Sequence, residues 1–218
     1  MDQWKYRKSS MVDYLISEDA DFIGVQEALY HQVAYLDSML TGYKYIGVGR
    51  DNGKKGGEFM ALFYKTKTWS NESKNTFWLS ETPSQCSKGG DAMCLRVCTW
   101  RKVINKKTGK KIIINNTHLD HKGTVARAKS VDLLSSHMKG FKEKCPVLLI
   151  GDFNFSPDDS LFTALNRELL DSKILAESVL ESNPGTFNGF DSGEYGPPYK
   201  HRIDYVFFRE EKKVLEYK

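Results

Sequence analysis

Residues 148–159 read LLIGDFNFSPDD. Together with Pro146 and Val147 the first part is a compact apolar run, too short for a helix and suited to a buried strand over 146–151. It stops at Asp152-Phe153-Asn154. Ser156-Pro157 then opens a turn, and a helix is expected from Asp158 to Leu165. A strand carries rigid backbone into a core, so the polar residues at its end are held in place. This strand–polar cluster–helix unit recurs along the chain.

Outward from it, residues 111–117 (KIIINNT) and 203–208 (IDYVFF) read as strong strands, and 21–26 (DFIGVQ) as another. Shorter strands are expected at 43–48, 59–65, 74–79 and 94–103, separated by turn sequences such as DNGKKGG at 51–57 and KKTG at 106–109. Helical spacing appears over 7–18 (Met11, Tyr14, Leu15), 30–40 (Val33, Leu36, Leu40) and 123–139, where Val125, Ala128, Val131, Leu134 and Met138 are expected to face inward. Many strands with interleaved helices, without repeats or a low-complexity linker, predict one layered α/β domain over 1–218.

Composition sets the bounds. The 218 residues carry 32 Lys and Arg against 28 Asp and Glu, a net charge of +4, which permits an anionic substrate without requiring one. No run of 18 apolar residues exists, so no membrane span is expected. The start, MDQWKYRKSS, has no signal-peptide core. A cytoplasmic protein is expected, or a secreted one if a signal lies upstream. The four cysteines show no paired zinc spacing. Cys86 and Cys94 flank a loop that a disulfide would close in a secreted protein.

Five polar clusters follow apolar runs: Gln26-Glu27, Glu58, His118-Leu119-Asp120, Asp152-Phe153-Asn154 and Arg202-Ile203-Asp204-Tyr205. Carboxylate and amide oxygens suit a hard cation such as Mg²⁺, and phosphoryl transfer needs an activated water and donors for developing charge. Each cluster also has a plainer reading. Glu27 alone reads as a carboxylate near a helix N-terminus, His118 as a hydrogen-bonded core histidine, and Asp152 to Asn154 as a turn. Asp204, inside an apolar strand, needs a partner in any reading.

Taken in order, DFIGVQEAL (21–29), GEFMALFYK (57–65), NTHLDH (116–121), LLIGDFNFSPDD (148–159) and HRIDYVFF (201–208) resemble the successive signatures of the endonuclease/exonuclease/phosphatase family. GVGRDNGKKGGEFMALFYK, FWLSETP and THLDHKGTVARAKSVDLL resemble a bacterial and eukaryotic branch of it. The resemblance implies a four-layer α/β sandwich with two packed, mainly antiparallel sheets flanked by helices. It also implies Mg²⁺-dependent hydrolysis of a phosphate ester, with Mn²⁺ as the alternative ion. A phosphodiester, and so nucleic acid, is the first expectation for substrate; a sugar phosphate or phospholipid is the alternative.

The implied roles follow residue by residue. Glu27 would bind metal. Glu58 would support His118, which would contact the phosphate. Asp152 would align or deprotonate the attacking water, and Asn154 would bind phosphate or metal. Asp204 would orient a catalytic histidine, and Arg96 and Tyr205 would line the substrate groove. The family also starts with a strand ending in asparagine and ends with a Ser-Asp-His strand. Neither pattern is found before Trp4 or after Asp204. The resemblance therefore implies a domain incomplete at both ends, either a weak hydrolase by itself or a binding domain for phosphorylated ligands.

Overall fold

The computed structural model describes residues 4–141, 145–180, 185–187, 201–209 and 214–217. Its elements run α1 (Trp4–Glu18), β1 (Phe22–Ala28), α2 (Tyr30–Met39), β2 (Tyr43–Ile46), β3 (Phe59–Lys65), β4 (Trp69–Trp78), β5 (Val97–Asn105), β6 (Lys111–His118), α3 (Thr124–Lys139), β7 (Val147–Asp152), α4 (Ser160–Asn166), β8 (Leu170–Asp171), α5 (Ser172–Leu175), β9 (Ala176–Val179), β10 (Asp204–Arg209) and β11 (Val214–Tyr217). Two main sheets result. One has the order β1-β3-β2; the other has the order β4-β5-β6-β7-β10-β8. Every pairing in them is antiparallel except β6 with β7, and β9 and β11 form a small parallel pair.

The layers follow from side-chain alternation along the strands. On β3, Phe59, Ala61 and Phe63 turn outward and pack with Val12 of α1 and Val33 and Leu36 of α2. Leu62 and Tyr64 turn the other way, against Val103, Ile114 and Ile150 of the second sheet. Both faces are covered, so β3 is an unbroken apolar run rather than an alternating one. The second sheet shows its opposite face to α3 and α4, where Ile113, Leu149, Phe153 and Phe207 meet Leu134, Met138, Phe162 and Leu165. Helix, sheet, sheet, helix is the expected four-layer order.

Two helical positions differ from the sequence reading, while Val131, Leu134 and Met138 are buried as expected. Val125 and Tyr14 are exposed; Ala126 and Val12 take the buried positions instead. The phase of α3 is set at its start. Asp91, from the loop before β5, caps it by accepting from the backbone N–H of Val125 at 3.3 Å and Ala126 at 2.7 Å. Neither Cys86 nor Cys94 is in a disulfide, so no bridge closes that loop.

Polar residues lock the sheets in register. Asn116 on β6 is fully buried and donates to the carbonyls of Val25 (3.1 Å) and Ala61 (2.9 Å) in the facing sheet. Its oxygen accepts from Gln26 Nε2 at 2.6 Å. Gly151, just before Asp152, has φ +146°, and a Cβ there would lie 2.0 Å from the Thr117 carbonyl oxygen. Only glycine permits this approach.

Candidate active site

Register brings the predicted residues together. In the parallel β6–β7 ladder His118 pairs with Asp152. In the antiparallel β7–β10 ladder Asp204 pairs with Asp152. Partners in a ladder point to the same face. That face also carries Asn116, Leu148 and Ile150, so His118, Asp152 and Asp204 form a row across three strand ends, turned toward the first sheet. Backbone bonds from Leu119 N–H to the Asp152 carbonyl (2.9 Å) and from Phe153 N–H to the Ile203 carbonyl (2.8 Å) continue the row past the strands.

Glu27 approaches from the first sheet. The β1–β3 register slips between Val25 and Ala28, and Glu27 itself has φ +59°. A bulge with a left-handed non-glycine residue re-aims a side chain at a cost in backbone strain. Asn154 also adopts positive φ, +51°, which asparagine tolerates. Its backbone N–H bonds Asp152 Oδ1 at 2.9 Å. Its Nδ2 lies 2.9 Å from the Leu119 carbonyl and 3.0 Å from His118 Nε2. An amide nitrogen only donates, so Nε2 accepts and the neutral ring carries its proton on Nδ1. Asp152 Oδ2 is 3.5 Å from the same Nε2.

Electrostatics separate these groups. Burial pushes the Asp152 carboxyl up to about 7; Asp204 and Glu27 add to the rise, while the Asn154 N–H and Arg96 oppose it. Asp204 is also raised, by burial first and by Glu27, against a hydrogen bond from Thr186. Thr186 is thus the partner that Asp204 has in the structure. His118 is pushed down to about 3 by burial and by the positive charges of Arg96 and Arg50, with His121 also acting on it; Asp120 opposes them. His118 is therefore neutral near pH 7.

Other expected site residues have partners of their own. Glu58 pairs with Arg50 at 2.5 Å rather than with His118, whose buried Nδ1 has no partner among the described residues. Tyr205 is one residue out of phase with Asp204 and so lies on the helix side of its sheet. Its hydroxyl donates toward the carbonyls of Phe155 (3.0 Å) and Arg202 (2.9 Å), and its ring packs in the core. Arg96 is buried and pairs with Asp120 at 3.4 Å. Burial works to raise the Asp120 carboxyl. The N–H groups of Gly123, Lys122, Met93 and Cys94 outweigh it and hold that carboxyl well below the usual range. Period-two alternation turns the Tyr205 ring to the core side, although the residue also lines a groove between the sheets. Asn116 and Asp120 carried no signal beyond being polar in or beside apolar segments.

The donor chemistry suits a hard cation. Glu27, Asp152 and Asp204 are carboxylates whose charges act on one another, and Mg²⁺ binds through one or two carboxylates while keeping waters. Among the described residues no three His, Cys, Asp or Glu groups gather closely enough to form a full ligand cluster. A groove of about 500 Å³ runs between the sheets, walled by Phe22, Gly24, Ile114, Leu148 and Ile150, and reaches Asp204.

Known proteins share this fold. The structure of a mannosyl-6-phosphatase from Bacteroides thetaiotaomicron superposes with a TM-score of 0.92 at 37% identity, covering 98% of this chain and 80% of that one. An endonuclease/exonuclease/phosphatase from Bacteroides vulgatus gives 0.92 at 32% identity, covering 98% and 82%. Among curated proteins, Nocturnin of Drosophila melanogaster is 25% identical over 98% of this chain; the chain spans 37% of Nocturnin's length. Residues 1–217 match the sequence model of the Endonuclease/Exonuclease/phosphatase family, and the chain belongs to that family.

Proposed function

We propose that the protein is a Mg²⁺-dependent phosphoesterase that releases phosphate from a sugar phosphate monoester. The observation that carries this is the row of His118, Asp152 and Asp204 in register at three strand ends. Asp152, with a carboxyl near 7, is matched to take a proton from water at neutral pH. The neutral His118 and Asn154 brace one another beside it. With both Asn154 amide hydrogens directed at Leu119 and His118, its Oδ1 is left for a cation or a substrate hydroxyl. Glu27 and Asp204 would hold Mg²⁺, and bound Mg²⁺ would neutralise charge on the phosphoryl oxygens.

The monoester preference is supported by the 37% identical mannosyl-6-phosphatase, which is matched over nearly all of this chain. The Ccr4 3'-5'-exoribonuclease subunit of Yarrowia lipolytica, at 23% identity, supports a phosphodiester reading instead. An assay of phosphate release from mannose 6-phosphate, beside cleavage of an RNA oligonucleotide and bis(p-nitrophenyl) phosphate, all with Mg²⁺, separates the two. Faster turnover of the diesters would replace the monoester reading. A folded protein inactive on all three would remove the hydrolase reading.

A further inference from the structure

His121 follows the strand end that carries His118 and is exposed, and the expected site did not include it. Its Nδ1 lies 3.0 Å from Arg96 Nη2. A guanidinium has five donors and no acceptor. Nδ1 must therefore accept, which places the ring proton on Nε2. Arg96 cannot swing away to release it, because it is only 5% exposed and its Nε bonds Asp120 Oδ2 at 3.4 Å. Asp120 is itself fixed by four backbone N–H groups: Met93 (3.0 Å) and Cys94 (3.1 Å) on Oδ2, and Lys122 (3.0 Å) and Gly123 (2.8 Å) on Oδ1. Backbone, Asp120, Arg96 and His121 form one chain of donors and acceptors ending at the surface.

The neighbouring donors are either bonded or buried. The Asn154 amide hydrogens face Leu119 and His118. His118 Nδ1 and Arg96 Nη1 are buried and have no hydrogen-bond partner among the described residues. Arg50 is paired with Glu58. His121 lies two residues beyond Leu119, whose N–H bonds the Asp152 carbonyl at 2.9 Å and whose carbonyl accepts from Asn154 Nδ2 at 2.9 Å. We infer that His121 Nε2–H is a substrate-contacting donor to a non-bridging oxygen of the phosphoryl group, with Arg96 and Asp120 as the positioning residues that fix its tautomer. A neutral donor of fixed tautomer contacts a phosphate without needing to be protonated. The inference deepens the phosphoesterase reading and rests on it for the identity of the anion.

Two variants separate contact from support. His121→Asn keeps an oxygen near the place of Nδ1 to accept from Arg96 but lacks the Nε2–H; His121→Ala lacks both. With Mg²⁺ and mannose 6-phosphate, both variants should lose about 10- to 100-fold in kcat/KM, the usual effect of one hydrogen bond to a charged group. An Asn variant at the wild-type level beside an impaired Ala variant would reduce His121 to a rest for Arg96 and overturn the inference. Two unimpaired variants would overturn it as well. The second measurement needs no turnover. Inorganic phosphate with Mg²⁺ is titrated into ¹⁵N-labelled protein, and the His121 ring nitrogens are assigned by their loss in His121→Asn. The free protein should show the Nε2-protonated tautomer, and phosphate should move the Nε2 resonance. A resonance that phosphate never moves would sink the contact. If phosphate moves it but no ester is hydrolysed, the contact stands and the hydrolase reading alone fails.

Discussion

Asp204 on β10 stands directly opposite Asp152 on β7, and each carboxyl is held above its usual range, by burial first and then by neighbouring negative charge. Such a pair is unfavourable in the absence of a cation, and the unfavourable part can be measured.

Native Asp152 keeps its proton up to about pH 7, whereas an unperturbed carboxyl loses it near 3.8. Between those values folding takes up a proton, so this group's contribution to stability falls as pH rises. An uncharged asparagine at this position would have no such dependence. In EDTA, Asp152→Asn should be more stable than wild type at pH 8, by at most about 4 kcal/mol, with the gain fading by pH 4. Saturating Mg²⁺ should bring the wild type back toward the variant at pH 8. Urea melts across pH check this; a difference that ignores pH would remove the raised carboxyl from the account.

The same substitution should abolish most hydrolysis. Loss of a general base costs on the order of 10²–10⁴-fold. His118→Ala removes the group that braces Asn154 and should cost about 10²-fold, the scale for a site group displaced by about 1 Å. Both are read as kcat on the preferred ester, with circular dichroism to confirm folding. A folded variant with wild-type turnover would take its residue out of the mechanism.

Glu27 is tested through the metal. Glu27→Gln keeps the shape at the β1 bulge and removes the charge. Calorimetric titration should then show weaker Mg²⁺ binding than in wild type. Equal affinity would mean that the bulge and the positive φ at this residue serve something other than a cation.

The buried pair of Asp171 and Arg202 anchors the approach to β10; Asp171 is fully buried and Arg202 nearly so. Asp171 also caps α5 through Lys173 N–H at 3.2 Å. Removing one partner of a buried pair strands the other charge, so Asp171→Ala should cost about 3–5 kcal/mol in a urea melt. The double variant Asp171→Ala, Arg202→Met should recover much of that loss. A double variant no better than the single one would show that packing or capping, rather than the stranded guanidinium, sets the cost.

Much of this was legible in the sequence because it is periodic. Apolar runs located β3, β6, β7 and β10 within a residue or two, and the polar residues at their ends are the ones that meet. What the sequence hid depends on long-range contacts. The partner of Asp204 is Thr186, on a separate segment that no spacing connects to it. Glu58 faces Arg50 because the 49–58 loop folds back on itself, with Arg50 N–H bonded to the Glu58 carbonyl at 3.0 Å. At the start of α3, Ala126 rather than Val125 is buried, where Asp91 from a distant loop caps the helix; Val131, Leu134 and Met138 lie inward as read.

The insertion of β10 between β7 and β8 bears on how the protein is made. A chain leaving the ribosome can pair β6 with β7 and set His118 beside Asp152 well before residue 204 has been synthesised. Until β10 docks, the edge of β7 lacks its partner strand and Asp152 lacks the facing carboxylate. The row is completed by a late, non-local pairing, the slow kind. A nascent polypeptide that ends before residue 204 therefore holds only part of the row.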